Sequence, residues 1–497
     1  MTTPCRTLIQ RSFRIDSSGL NRRIATGAGF QFLGIGLRTI LTIGSTAVLA
    51  RLLTPADFGY VAMAAVVTEF AALFSAFGFT NVLIQRKVIN RLYLDTVFWA
   101  TFGLGVVMAT VVFLLSLGSP WLFADPRVAP LLQVLCIGFI IISPSAVPTV
   151  VLARQLRFRT EFWINIGSVL LRTCAGIGFA LAGWGVWSLV WGGLVGHLAT
   201  VVLGYINVPY WPRWRFHLPL LTSTWRTSGS YLGNTLMYYI STNLDLLLIG
   251  RQLGASPLGL YQNARTLTDE IRARIAMPIQ QVLFPALSAL QSDRARARQL
   301  VLRAGRLMAA VVVPIGVGVS ANAPELVQVL YGAQWLSMAP VLGMMGLSAA
   351  VRASTAIASP LFNANNQVGL SMRFNLVGTV LMVGGILLAM PQGIEAVAVA
   401  VFLSSLYWLV VLRAAFGLLD MGTRQVIEVL GPPMLASAGL WLVTAAIRKT
   451  AWSTSDGVLL MGHVALGALV YLGTLHLLSR QYLKDLRQVA ALMPRRN

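Results

Sequence analysis

Apolar residues in this chain fall into runs of about 20 with short polar connections between them, the length that crosses a bilayer's hydrocarbon core as a helix. Fourteen runs can be marked, near residues 25–50, 60–85, 94–118, 128–153, 160–182, 185–208, 228–250, 258–290, 300–322, 337–362, 366–390, 394–418, 427–447 and 457–478. They predict an all-α polytopic membrane protein with about 14 transmembrane helices. The eighth run is the longest and the most polar. Pro144 and Pro148 interrupt the fourth run, Pro278 and Pro285 the eighth and Pro314 the ninth. Each removes a backbone hydrogen bond and is expected to kink its helix. Gly192 and Gly196 give the sixth run a small-xxx-small face, ordinarily a helix-packing feature.

Between the first two runs, Leu49-Ala-Arg-Leu-Leu-Thr-Pro-Ala-Asp-Phe-Gly-Tyr60 reads as a helix end, a tight turn and a helix start. Thr54 is a helix cap, Pro55 fits the first helical position, and Asp57 stands where a capping box needs an acceptor. The stretch returns as Ile249-Gly-Arg-Gln-Leu-Gly-Ala-Ser-Pro-Leu-Gly-Leu-Tyr261. Arg51, Leu53 and Gly59 recur as Arg251, Leu253 and Gly259, an offset of 251 − 51 = 200. Ser256-Pro257 supplies a cap-plus-proline pair two places further along. The register continues through Thr42, Ala64, Thr68, Ala76, Val82 and Leu83, and it maps Glu69 onto Asp269. A repeat of six runs brings both halves in from the same side, so the halves are related by an axis along the membrane normal. The expected organisation is a basic cytoplasmic tail at 1–24, an N-lobe at 25–210, and a cytoplasmic inter-lobe loop at 211–227. A C-lobe at 228–420, a helix pair at 427–478 and a basic tail at 479–497 follow.

Composition agrees with a membrane class: 56% of residues are hydrophobic, 11% are charged, and mean hydropathy is +0.73. A net charge of +22 raises the question of nucleic acid, but the placement of the charges answers it. With the amino terminus inside, 27 Lys and Arg lie in inside segments and 5 in outside segments. That asymmetry follows the positive-inside rule, puts both termini in the cytoplasm and leaves nucleic acid out as a partner. The inside basic loops suit anionic lipid head groups. Cys5, Cys136 and Cys174 form no disulfide framework.

Six basic residues remain at membrane depth: Arg38, Arg172, Arg265, Arg272, Arg274 and Arg352. Glu69, Asp245, Asp269 and Glu270 are the acids there. An Arg at a helix centre costs ~2.5–3.5 kcal/mol, so six facing lipid would cost roughly 15–21 kcal/mol. Net stability of a typical domain is only ~5–15 kcal/mol. Most of the six must therefore face a polar cavity or partners. One reading is pairing along the helix: Arg265, Asp269 and Arg272 are spaced i, i+4, i+7, and Glu270 and Arg274 are i, i+4. Arg172 and Arg352 could also snorkel. The other reading is a cationic cavity for an anionic group, because the planar guanidinium fork suits phosphate. The four acids are then static counter-ions, or carriers of a proton or Na⁺. His197, alone in an apolar helix, is ordinarily a packing residue, with proton coupling as the alternative. Trp184, Trp187 and Trp191 read as an interfacial belt. No P-loop, metal-ligand cluster or catalytic constellation is legible, so no cofactor and no enzymatic activity are expected.

The motif set resembles one family. It comprises Ala50-Arg-Leu-Leu-Thr-Pro-Ala-Asp-Phe-Gly59, Ile84-Gln-Arg86, Asp95-Thr-Val-Phe-Trp99, Leu152-Ala-Arg-Gln-Leu-Arg-Phe-Arg159, Gly183-Trp-Gly-Val-Trp-Ser-Leu-Val190, Asp245-Leu-Leu-Leu-Ile-Gly-Arg-Gln-Leu-Gly254 and Val282-Leu-Phe-Pro-Ala-Leu-Ser-Ala-Leu-Gln291. Over residues 25–420 the chain is similar to the polysaccharide transporter (Wzx-type flippase) branch of the multidrug/oligosaccharidyl-lipid/polysaccharide exporter superfamily. The resemblance implies two six-helix lobes around a central cavity in a bacterial inner membrane. It implies alternating access that moves a polyprenyl-pyrophosphate-linked oligosaccharide to the periplasmic leaflet, with a polysaccharide polymerase and co-polymerase as candidate partners. Arg38, Arg172, Arg265 and Arg352 match the cavity cations by location. Thr268-Asp-Glu-Ile-Arg-Ala-Arg274 carries more charge than this branch leads one to expect. An ion-coupled drug exporter of the same fold is the alternative, and a membrane polysaccharide polymerase or ligase is the alternative from another class.

Overall fold

A computed structural model describes residues 20–75, 90–449, 456–479 and 482. Residues 1–19 of the amino-terminal tail and nearly all of the tail at 479–497 lie outside the described residues. So do residues 76–85 of the second run, with the repeat positions Ala76, Val82 and Leu83 and the Ile84-Gln-Arg86 motif. Among the described residues the regular elements are all helical. In chain order they are α1 (Leu20–Leu52), α2 (Pro55–Ser75), α3 (Arg91–Leu117), α4 (Ser119–Phe123), α5 (Val128–Leu135), α6 (Ile137–Ile142) and α7 (Ala146–Arg154). Next come α8 (Phe158–Leu181), α9 (Val186–Asn207), α10 (Leu218–Leu253), α11 (Ala255–Ala289), α12 (Arg294–Ala321) and α13 (Ala323–Leu330). The last are α14 (Ala339–Ser354), α15 (Ala358–Ala364), α16 (Val368–Ala389), α17 (Ile394–Gly417), α18 (Thr423–Lys449) and α19 (Asp456–Leu478).

Among the described residues, 12 helices are long and apolar enough to cross a membrane, against the fourteen expected. The two expected spans that fall short are those at 228–250 and 258–290, which form α10 and α11. Both are long, at 36 and 35 residues, so length is not what they lack. Arg265, Asp269, Glu270, Arg272 and Arg274 crowd α11, and Ser, Thr, Asn and Tyr dilute α10.

The fourth run is broken by a 3₁₀ turn at Ser143–Ser145, where Pro144 withholds an N–H. Pro148 stands in the first turn of α7, where a missing N–H costs little. α11 continues through Pro278 and Pro285, and α12 through Pro314.

The chain divides into two compact units, Met1–Gly259 and Leu260–Asn497. In the first, α8 and α9 form a close hairpin because small residues line it. A Cβ on Gly192 would lie 3.0 Å from the Gly176 Cα, and one on Gly196 3.0 Å from the Arg172 Cβ. In the second unit, Met308, Val312, Ile357, Leu361 and Phe416 belong to one buried core. There α18 and α19 pack on α12. The buried Tyr471 hydroxyl donates to the Ala310 carbonyl at 2.7 Å, and Arg306 reaches Glu428 at 3.3 Å.

The repeated turn organises the first unit. The Thr54 N–H and hydroxyl donate to Asp57 Oδ2 at 2.9 and 2.7 Å, and the Asp57 N–H donates back to Thr54 Oγ1 at 3.3 Å. The second copy differs from its expected form. α11 begins at Ala255, so Ser256 and Pro257 lie inside its first turn, and Gly254 (φ 86°) is the C-cap of α10. Gly254 stands at the register position of Thr54, so the hydroxyl cap of the first copy has no counterpart at that position in the second. The glycines at 59 and 259 meet across this turn. A Cβ on Gly59 would lie 1.8 Å from the Ala255 carbonyl oxygen, and one on Gly259 1.9 Å from that of Pro55. Pro55 and Ala255 are themselves repeat partners, so the first turns of α2 and α11 cross backbone to backbone about a local two-fold.

Further along, the register lengthens. Leu156 and Asn366 both have left-handed backbone, as do Gly183 and Gly393, and each pair stands 210 apart (366 − 156 = 210). In the first case the ends are the same: the N–H of Arg157 donates to Leu152 O at 3.0 Å, and that of Gln367 to Phe362 O at 2.8 Å. The repeat thus reaches past the stretch where its sequence is visible.

Candidate functional site

The basic residues expected at membrane depth fall into two sets, one in each unit. In the first unit Arg38 on α1 and Arg172 on α8 lie within electrostatic range of each other, and Arg172 within range of His197 on α9. The Arg172 stem lies over Gly196, which leaves room for a side chain of that size on a tight hairpin. Both guanidinium-bearing residues are exposed, and among the described residues neither forms an ion pair with a carboxylate. Glu69 is exposed on α2, and Asp245 is buried on α10, where its Oδ1 accepts from the Leu246 N–H at 2.9 Å. Neither acid pairs with Arg38 or Arg172.

In the second unit Asp269 stands between Arg265 (Nε to Oδ2, 3.4 Å) and Arg272 (Nε to Oδ1, 3.0 Å), and feels Arg352 of α14 as well. Three guanidinium groups thus surround one carboxylate. Arg274 and Glu270 pair separately at 2.8 Å. Helical spacing produces the Arg265, Arg272 and Arg274 contacts, while Arg352 arrives from a helix about 80 residues away. The sequence placed His197 in a packing role. Its proximity to Arg172 arises across the α8–α9 hairpin and leaves no local signal.

Arg51 and Arg251 are exposed at the ends of α1 and α10, beside the repeated turn. Near that turn the Tyr60 hydroxyl donates to Asp125 Oδ2 at 3.1 Å. Arg127 holds the same carboxylate through Nε and Nη2, both at 3.2 Å, and lies 4.8 Å over the Tyr60 ring. Burial of Asp125 opposes its charge, but the backbone N–H and guanidinium of Arg127 outweigh it and hold the carboxyl below its ordinary range.

Among the described residues no group of His, Cys, Asp and Glu could hold a metal ion. Exposed guanidinium groups such as those of Arg38 and Arg172 are forked donors of the kind that suits anions. An internally repeated bundle of helices, 12 of them among the described residues long and apolar enough to cross a membrane, defines a multi-pass membrane protein.

The chain belongs to the polysaccharide biosynthesis protein family, which it matches over residues 48–340. It is 27% identical over 377 residues to the lipopolysaccharide biosynthesis protein WzxC of Escherichia coli (strain K12), covering 74% of this chain and 76% of that one. It is 28% identical over 301 residues to the succinoglycan biosynthesis transport protein ExoT of Rhizobium meliloti (strain 1021), covering 61% of each. Its fold is similar to that of the lipid II flippase MurJ in an inward closed conformation. The TM-score is 0.69 at 14% identity, covering 92% of this chain and 100% of the other.

Proposed function

We propose that this protein carries a polyprenyl-pyrophosphate-linked oligosaccharide from the cytoplasmic to the periplasmic leaflet of a bacterial inner membrane, by alternating access. The observation that carries this reading is the Arg38–Arg172 pair, two cations at membrane depth without a carboxylate partner among the described residues. An uncompensated guanidinium pair is costly in a bilayer unless an anion occupies it for part of the cycle. Pyrophosphate fits, because each guanidinium can donate two parallel hydrogen bonds to it. The three guanidinium groups around Asp269 form a second cationic set of the same sign. The lipid tail stays in the bilayer while the head group moves. Both termini are cytoplasmic in this reading, as the distribution of Lys and Arg favours.

A drug exporter of the same fold would need a cavity suited to cations, and six Arg against four acids speak against it. Glu69 and Asp269 are the candidate carriers of a coupling proton or Na⁺. A polymerase and a co-polymerase are candidate partners.

Complementation tests the reading. Arg38→Glu and Arg172→Glu, expressed in a strain lacking the gene, should insert normally and abolish polysaccharide export, whereas Arg251→Gln in the outer turn should be milder. Full export by both reversed variants would remove the pair from the transport path.

A further inference from the structure

The connection between α9 and α10, residues 208–217, has no regular structure, yet its backbone is fastened to the first turns of α3. The Tyr210 hydroxyl donates to Asp95 Oδ1, and the Arg213 N–H donates to the same oxygen at 3.2 Å. The Trp99 indole N–H donates to the Arg213 carbonyl at 2.9 Å, and Arg91 Nη2 donates to that of Trp211 at 3.2 Å. The His217 N–H donates to Thr96 Oγ1 at 3.3 Å, and Trp214 stacks on Trp99 with ring centroids 4.1 Å apart. Asp95 and Thr96 are fully buried. Burial, and then the Asp95 hydrogen bond, push the Tyr210 phenol well above its ordinary pKa, so it stays a donor. The motif Asp95-Thr-Val-Phe-Trp99 is therefore a clasp for this segment.

The clasp displays what a free loop would fold away. Trp211 is 79% exposed, Trp214 88% and Phe216 54%, and Arg213 and Arg215 are exposed between them. The segment follows directly on the membrane-spanning α9 and lies against the Arg91 end of the membrane-spanning α3. That puts it at the level of the lipid head groups. Indoles settle at the boundary of tail and head group, and guanidinium groups fork onto phosphate. Residues 208–217 hold no acid, so nothing in them repels an anionic surface.

We propose that residues 211–216 form a preassembled contact site for anionic phospholipid head groups, built on the first unit by the α3 clasp. Each guanidinium near an anionic leaflet should favour anionic over zwitterionic lipid by roughly fivefold. The site does not depend on what the protein transports.

The test uses the purified full chain in phosphatidylcholine vesicles doped with brominated phosphatidylcholine or brominated phosphatidylglycerol. Tryptophan quenching is compared with that of Trp211→Phe/Trp214→Phe to isolate the two indoles. Their quenching should be stronger with brominated phosphatidylglycerol. Arg213→Gln/Arg215→Gln should remove most of that excess while leaving quenching by brominated phosphatidylcholine intact, and Arg127→Gln should change neither. Asp95→Asn, which loosens the clasp without touching the displayed side chains, should weaken both. Equal quenching by the two lipids would reduce the segment to an ordinary aromatic belt and overturn the proposal. Absence of quenching from these indoles, as for a surface covered by another protein, would overturn it too. So would an excess that requires added polyprenyl pyrophosphate, which would make the segment a substrate contact.

Discussion

Replacing Gly59 by alanine would put a methyl carbon 1.8 Å from the Ala255 carbonyl oxygen and 2.5 Å from its carbon. Carbon and oxygen in even a close contact stay roughly 3.3 Å apart. The first turns of α2 and α11 would have to separate by more than about 1 Å, and backbone cannot rotate aside as a side chain can. Overpacking of this kind costs ~1–3 kcal/mol, and the upper end applies where both sides are backbone. Alanine in a helix recovers ~0.5–1 kcal/mol of that through lower chain entropy, leaving a net loss of about 2 kcal/mol. Gly103 on α3 and Gly193 on α9 are helical glycines with nothing within 4 Å of an added Cβ, so Gly103→Ala and Gly193→Ala should be neutral or slightly stabilising. Heating the purified variants in detergent and measuring the fraction still folded should rank Gly59→Ala and Gly259→Ala below both controls. The double variant Gly59→Ala/Gly259→Ala should cost less than the two singles together, because one separation relieves both clashes. Gly59→Ala as heat-resistant as Gly103→Ala would refute the claim that backbone contact at the repeated turn requires these glycines.

Three other outcomes are expected. Arg38→Gln and Arg172→Gln should each weaken retention of a pyrophosphate head group by roughly ten- to a hundredfold, the worth of a charge-assisted hydrogen bond, measured as binding of a soluble polyprenyl pyrophosphate analogue. Asp420 accepts from Arg294 and Arg298, each at 2.9 Å, and those donors hold its carboxyl below the ordinary range. A depressed folded-state pKa stabilises above the unfolded value of about 3.9 and is lost as pH falls through the folded value, so wild type and Asp420→Asn should differ in heat resistance at neutral pH and converge below about pH 4. Asparagine tolerates the positive φ at this position, so the comparison isolates the charge. Glu428→Gln should destabilise the second unit by about 1–3 kcal/mol by removing a carboxylate charge from the buried Arg306, and Arg306→Met/Glu428→Met should recover part of that loss in the same heating assay.

The helical bundle was legible because apolar runs of membrane length announce themselves regardless of what they pack against. Legibility fell at α10 and α11, where length and periodicity said span and polarity said otherwise. The repeat was visible as an offset of 200 near Arg51 and Arg251, where a turn fixes residue types. It was invisible at Leu156 and Asn366, because a left-handed helix end selects a conformation that two different residues can adopt. At the same register position as the capping Thr54, the second copy has Gly254, which ends α10 with a positive φ and offers no hydroxyl. Contacts along one helix, such as Arg265–Asp269 and Asp269–Arg272, follow from spacing. The approach of Arg38 to Arg172, and the hold of Asp95 on Tyr210 at a separation of 115 residues, do not, because hairpin and loop geometry create them.

The proposed activity is movement of a lipid-linked oligosaccharide between leaflets. Its most direct test is to deplete the protein in its host and determine the amount and leaflet of the lipid-linked repeat unit, using a probe that reaches only the periplasmic face. Intact units should accumulate on the cytoplasmic face and polymer should be lost, both reversed by the wild-type chain and not by Arg38→Glu. Units that cross normally and remain unpolymerised in the periplasmic leaflet would contradict it and point to a polymerase or ligase.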